Sequence, residues 1–107
     1  MNIRQQELQE AHKNFLLSAI TIAININRDN IYDALIPKEQ LLNHFTMYYG
    51  GGNYAVERYY NAFETFGVIE EEIGNQGKPT GYFKLNQRET EIMAKHHGLN
   101  VPKPKTP

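Results

Sequence analysis

Residues 53–69 read NYAVERYYNAFETFGVI, one amphipathic helix that stops at a glycine and runs directly into a strand. Val56, Tyr59, Tyr60, Phe63 and Phe66 recur at three- and four-residue steps, which stacks them on one helical face. Asn53 has the side chain to cap the first turn, its oxygen taking an orphan backbone N–H there. Gly67 suits the far end, because it takes the left-handed conformation at little steric cost. Val68 and Ile69 then open an extended run. The other face carries Tyr54, Glu57, Arg58, Asn61 and Thr65. Aromatics on one side with arginine and an amide on the other fit a recognition helix, and equally a surface helix of any small domain.

Upstream, PKEQLLNHFTMYY (37–49) forms a second short helix with Leu41, Leu42, Phe45 and Tyr48 as its inward stripe. Pro37 fits its first position, where a missing N–H costs nothing. Gly50, Gly51 and Gly52 end it, so two short helices flank a glycine turn in the manner of a helix-turn-helix unit. GGGN lacks the following Lys-Ser/Thr pair of a nucleotide phosphate loop, so turn chemistry is the better reading. Before it, Ala34, Leu35 and Ile36 fit a short extended piece and NRDNIYD (27–33) a turn. Residues 2–27 form a long first helix, its seam running through Leu8, Ala11, Phe15, Ala19, Ile22 and Ile26. Two readings of it stand. It is a core helix with a frayed start, or it pairs with a second subunit through Leu8, Phe15, Ile22 and Ile26. The large aliphatic surface of its second half favours the pairing.

Downstream, VIEEEIG and YFKLN read as strands, and NQGKPTG as the loop of a hairpin with Asn75, Gln76 and Lys78 at its tip. Lys84 falls on the face opposite Phe83 and Leu85. Asn86 caps a last helix in a box with Glu89; Ile92 and Met93 are its apolar contribution and Gly98 its stop. The Pro/Lys tail, 99–107, reads as extended or disordered. The expectation is one α+β, mainly helical domain over residues 1–98, followed by that tail.

The longest apolar run, 20–26, is too short to span a bilayer, and the charged start MNIRQQELQE lacks a signal-peptide core, so a cytoplasmic, non-membrane protein is expected. With no cysteine, disulfides and thiolate metal sites are excluded. His96 and His97 are adjacent and diverge around a helix, while His12 and His44 stand alone, so no metal or other cofactor is expected. Ser18, the single serine, sits among aliphatics as a core hydroxyl, and residues 70–72 read as a solvated acidic strand. No catalytic constellation emerges, and an enzyme is not expected. The net charge of −1 counts against nucleic-acid binding unless the cations are gathered.

The order helix, helix, glycine turn, helix, hairpin, helix, with Val56-x-x-Tyr59-x-x-x-Phe63-x-x-x-Gly67-Val68-Ile69 and Arg58 between its first two apolar positions, resembles the winged helix-turn-helix family from about Ile20 to Gly98. YFKLNQRETEI also looks like a second wing strand passing into a closing helix. The compact plan is similar to dimeric transcription repressors and to the small centromere-binding adaptors of tubulin-like plasmid partition systems. The resemblance implies sequence-specific binding to double-stranded DNA. Tyr54, Arg58, Asn61 and Thr65 would face the major groove, Gln76 and Lys78 would form the wing tip, and Asn53, Lys38 and Lys84 would lie near phosphate. So few cations imply a homodimer. The competing expectation is a winged-helix module that binds a protein partner and no DNA. Placement of Lys38, Arg58, Lys78 and Lys84 on one face would favour DNA, and dominance of the acidic strand there would favour a protein.

Overall fold

The computed structural model describes residues 3–105. The elements are α1 (Ile3–Ile26), a 3-10 turn (Ile31–Asp33), β1 (Ile36–Pro37), α2 (Lys38–Tyr49), α3 (Asn53–Thr65), β2 (Ile69–Ile73), β3 (Pro79–Leu85) and α4 (Gln87–His96). The fold is α+β, with four helices and a small antiparallel sheet of order β1-β3-β2. Residue 2 of the expected first helix, and residues 106 and 107 of the tail, lie outside the described residues.

The core forms where α1, α2 and α3 meet the inner face of the sheet. Phe15 is fully buried, with ring centroids 4.9 Å from Phe63 and 5.4 Å from Phe45. Tyr60 packs edge-on against Phe83 at 5.6 Å and ties α3 to β3. The strict alternation of buried Phe83 and Leu85 with exposed Tyr82 and Lys84 follows from the two-residue period of a strand. Leu85 pairs with Ile69, so the apolar end of the hairpin lies under the helices and its polar end projects.

Several local expectations need correcting. Asn53 is the first residue of α3 and makes no capping bond; Gly52 holds the extended cap geometry, its carbonyl accepting from the Val56 N–H at 3.2 Å. Pro37 likewise precedes α2. It is held extended by its pairing with Tyr82, and proline is tolerated because β1 is an edge strand. Tyr48 points outward, 66% exposed, leaving Leu41 and Phe45 as the buried stripe of α2. Ile92 is also exposed, and Thr90 and Ala94 are what α4 buries.

Phe15 and Ile22 cannot serve a dimer contact, because both are buried inside the protomer, while Leu8 and Ile26 are exposed. The second half of the helix, where Phe15, Leu16, Ala19, Ile20, Ile22 and Ala23 are buried, is apolar nearly all round, and α2, the 3-10 turn and β1 all pack on α1. The tail is extended but attached. The Leu99 N–H donates to the Ala94 carbonyl at 2.8 Å, Leu99 and Val101 pack on the core, and the Lys105 N–H donates to the Asp29 carbonyl at 2.8 Å.

Candidate nucleic-acid interface

The α3 helix buries Val56, Tyr60 and Phe63, so a turn of about 180° from that stripe must face solvent. Tyr54, Arg58, Asn61 and Thr65 fall there and all four are exposed. The Arg58 guanidinium lies 5.9 Å from the Tyr54 ring centroid, while the Thr65 hydroxyl donates back to the Asn61 carbonyl at 3.1 Å. Asn53 is exposed at the start of the same helix. Met47, Tyr48 and Tyr49 are exposed at the other side of the glycine turn. Gly50 and Gly51 both have positive φ, which lets the chain reverse there.

The hairpin lies along the Glu57/Glu64 flank of α3. Its tip closes through the Gly74 N–H donating to the Lys78 carbonyl at 2.7 Å, with Gln76 and Lys78 exposed. Arg58 and Lys78 have no ion-pair partner among the described residues.

Lys38 and Lys84 are placed differently from expectation. The Lys38 ammonium bonds Glu57 at 3.2 Å and sits 4.4 Å from the centroid of the Tyr60 ring. The Tyr60 hydroxyl donates to the Glu71 carboxylate at 3.0 Å. Burial, and then that bond, pushes the Tyr60 phenol well above its ordinary range. Burial also raises the Glu64 carboxyl, and nearby Glu71 and Glu57 add to the effect against the pull of Lys38. Lys38 is thus neutralised inside an acidic cluster instead of facing phosphate. Lys84 stands across the ladder from Glu70 and shares its surface with Glu71 and Glu72. The four cations therefore do not form one free basic face. Arg58 and Lys78 remain available, and an acidic band separates α3 from the strand face of the hairpin.

Two histidines are less isolated than their sequence positions imply. His44 Nδ1 lies 3.0 Å from Ser18 Oγ, which gives that core hydroxyl its partner. His12 lies 5.7–5.9 Å from the rings of Phe63, Phe66 and Tyr59. Among the described residues no group of three or more His, Asp or Glu side chains is arranged to hold a metal ion, and no helix is long and apolar enough to cross a membrane. Sequence reasoning missed the Lys38–Glu57 pair and the exposed Met47/Tyr48/Tyr49 cluster. The first depends on how α2 and α3 meet, and carries no local signal. Comparison with family models, curated sequences and solved structures finds no match for this chain.

Proposed function

We propose that this protein is a winged helix-turn-helix protein that binds specific double-stranded DNA as a homodimer, as a transcription regulator or as a centromere-binding partition protein. The observation that carries the reading is the outward stripe of Tyr54, Arg58, Asn61 and Thr65, held on a helix whose other face is locked into the core. Helix α3 enters the major groove, where Arg58 pairs with guanine and Asn61 with adenine. Lys78 and Gln76 reach the backbone or minor groove from the hairpin tip. Lys38 contributes by orienting α2 on α3 through Glu57, and not by touching phosphate.

Fluorescence anisotropy with genomic and random duplexes, titrated with salt, tests this. Arg58→Ala is expected to cost about 1–3 kcal/mol and relax one base position, while Lys78→Ala weakens all duplexes alike and lowers the salt slope by about 1 for each protomer of the dimer. No binding at low salt by a folded dimer refutes the reading. A protein-interaction module is the second reading, favoured by the acidic band of Glu57, Glu64 and Glu71 and by exposed Met47, Tyr48 and Tyr54. Under it, duplex DNA of any sequence fails to bind.

A further inference from the structure

A groove of about 370 Å³ runs between the first half of α1 and the side of α3 next to its outward stripe. Leu8 and His12 line it from α1, and Arg58, Tyr59, Ala62 and Phe66 from α3, with Ala55 at one end. The sequence of α3 explains the space. Ala55 and Ala62 are seven residues apart, two helical turns, so they stand on one face, and neither has atoms beyond Cβ to fill it. Tyr59, between them, is drawn down onto Phe15 and Phe45, with ring centroids 6.1 and 5.6 Å away, and becomes the floor. The His12 and Phe66 rings, 5.9 Å apart, also line the neighbouring groove toward α4, so they form the wall at the far end.

One charge sits on this groove. Arg58 is three residues from Ala55 and four from Ala62, so its stem lies on the rim, and its guanidinium has no ion-pair partner among the described residues. No Asp or Glu is among the groove's described walls. Glu57, the neighbour of Arg58, is held by Lys38 at 3.2 Å. Glu7 and Glu10 project about 100° and 160° round α1 from Leu8. Burial, and then His97, holds the His12 imidazole below its ordinary range, so it is uncharged at neutral pH. Apolar walls with a single placed polar group, at this volume, are the common form of a small-molecule site. An unpaired guanidinium selects a carboxylate. Phe66 lies about 12 Å from Arg58 along α3, the length of an extended alkyl chain of about ten carbons. A helix, about 10 Å across, is too thick for such a channel.

We infer that this groove binds a medium-chain monocarboxylate, with the carboxylate on Arg58 and the alkyl chain laid over Tyr59 and Ala62 toward Phe66. Binding itself does not depend on DNA. Its consequence does: Arg58 also belongs to the stripe assigned to the major groove, so ligand and duplex compete for one guanidinium, and each lowers the affinity for the other. That consequence rests on the function proposed above.

Isothermal titration calorimetry of the full chain with decanoate, up to about 2 mM, reads the binding. One site per chain with a Kd of about 0.1 mM or tighter is expected. Hexanoate, which stops short of Phe66, and decyltrimethylammonium, which keeps the chain and reverses the charge, each bind at least about tenfold more weakly. Ala62→Leu fills the channel and Arg58→Gln removes the charge, and each raises the decanoate Kd at least about tenfold, with unchanged circular dichroism. Where Ala62→Leu fails to fold, nuclear Overhauser contacts from the decanoate methylenes to Leu8 and Phe66 of the unaltered chain decide the position. No binding over that range, equal affinity for decyltrimethylammonium, indifference to both substitutions, or contacts to Met47 or Ile92 in place of Leu8 overturns the inference. A chain that binds decanoate in this way and ignores DNA refutes the function proposed above and leaves the site intact. A chain that binds DNA and not decanoate does the reverse.

Discussion

Replacing Tyr60 with phenylalanine should loosen the hairpin without disturbing the core. The Tyr60 ring is fully buried against Phe83, and the ammonium of Lys38 lies over its face; phenylalanine keeps both contacts. What disappears is the hydroxyl that donates to Glu71 at 3.0 Å, the side-chain bond from α3 to β2. A hydrogen bond to a charged group contributes about 1.5–3 kcal/mol net. Glu71 is only half-buried, so water recovers part of that, and the lower end of the range applies: about 1.5 kcal/mol. At this chain length that is a fall in Tm of about 6–12 °C. Urea unfolding followed by far-UV circular dichroism measures it, with an unchanged m value required for the comparison. Amide exchange should quicken in β2 more than in α1, because the lost bond holds only the hairpin side. A loss below about 0.5 kcal/mol at constant m would mean the bond contributes nothing net, and the account of how α3 holds the hairpin would be wrong.

Gly67 has φ +80°, and a Cβ there would sit 3.4 Å from Glu89 Cγ, so Gly67→Ala should cost about 1–2 kcal/mol in urea unfolding; a neutral result would show that the α3–β2 junction relaxes freely. Burial lowers the His12 and His97 imidazoles below 6.5, and their mutual repulsion adds to the shift at His12, as that of His96 and Lys13 does at His97. The unfolded chain then binds more protons than the folded one, so stability is full above that value and declines as pH falls below it. His12→Gln should flatten the decline in unfolding measured at successive pH values. Glu64 has the opposite sign. Its raised carboxyl costs stability once pH climbs above the ordinary 4.5, so Glu64→Gln should stabilise the fold at pH 7, with the gain fading in acid. An unchanged or lower Tm at pH 7 would mean Glu64 is better solvated than its neighbours imply.

The elements were legible where a local rule decides them. Three- and four-residue spacing revealed α1, α2 and α3, and Gly67 and Asn86 marked real junctions, the Asn86 side chain accepting from the Glu89 N–H at 3.0 Å. Only half of the expected capping box forms, because the Asn86 N–H is already used by the Val68 carbonyl at 2.8 Å. Tyr48 and Ile92 were misread as inward because helical periodicity gives relative angles and not the direction of the core. Thr90, which the helix buries instead, is polar and gives no apolar signal. The outward stripe of α3 was readable from one helix alone, whereas the fate of Lys38 depended on Glu57 and Tyr60, some twenty residues away in the chain.

The acidic strand is the feature that most changes meaning in three dimensions. In sequence, residues 70–72 look like a solvated edge that repels DNA. In the fold each carboxylate has a task. Glu70 accepts from Asn86 Nδ2 at 2.7 Å, Glu71 from Tyr60 at 3.0 Å, and Glu72 from the Thr80 hydroxyl at 2.8 Å. They fasten the hairpin to the start of α4, to α3 and to its own partner strand, and their charge stays with the hairpin. The docking proposed above therefore rests on the outer stripe of α3 and the hairpin tip, where Arg58 and Lys78 have no ion-pair partner among the described residues. A dimer brings two copies of Lys78, and two neutralised phosphates give a slope of log affinity against log salt of about −1.8. A slope near −8 would require about seven further phosphate contacts from cations outside the hairpin tip, and would overturn the docking through α3 and that tip.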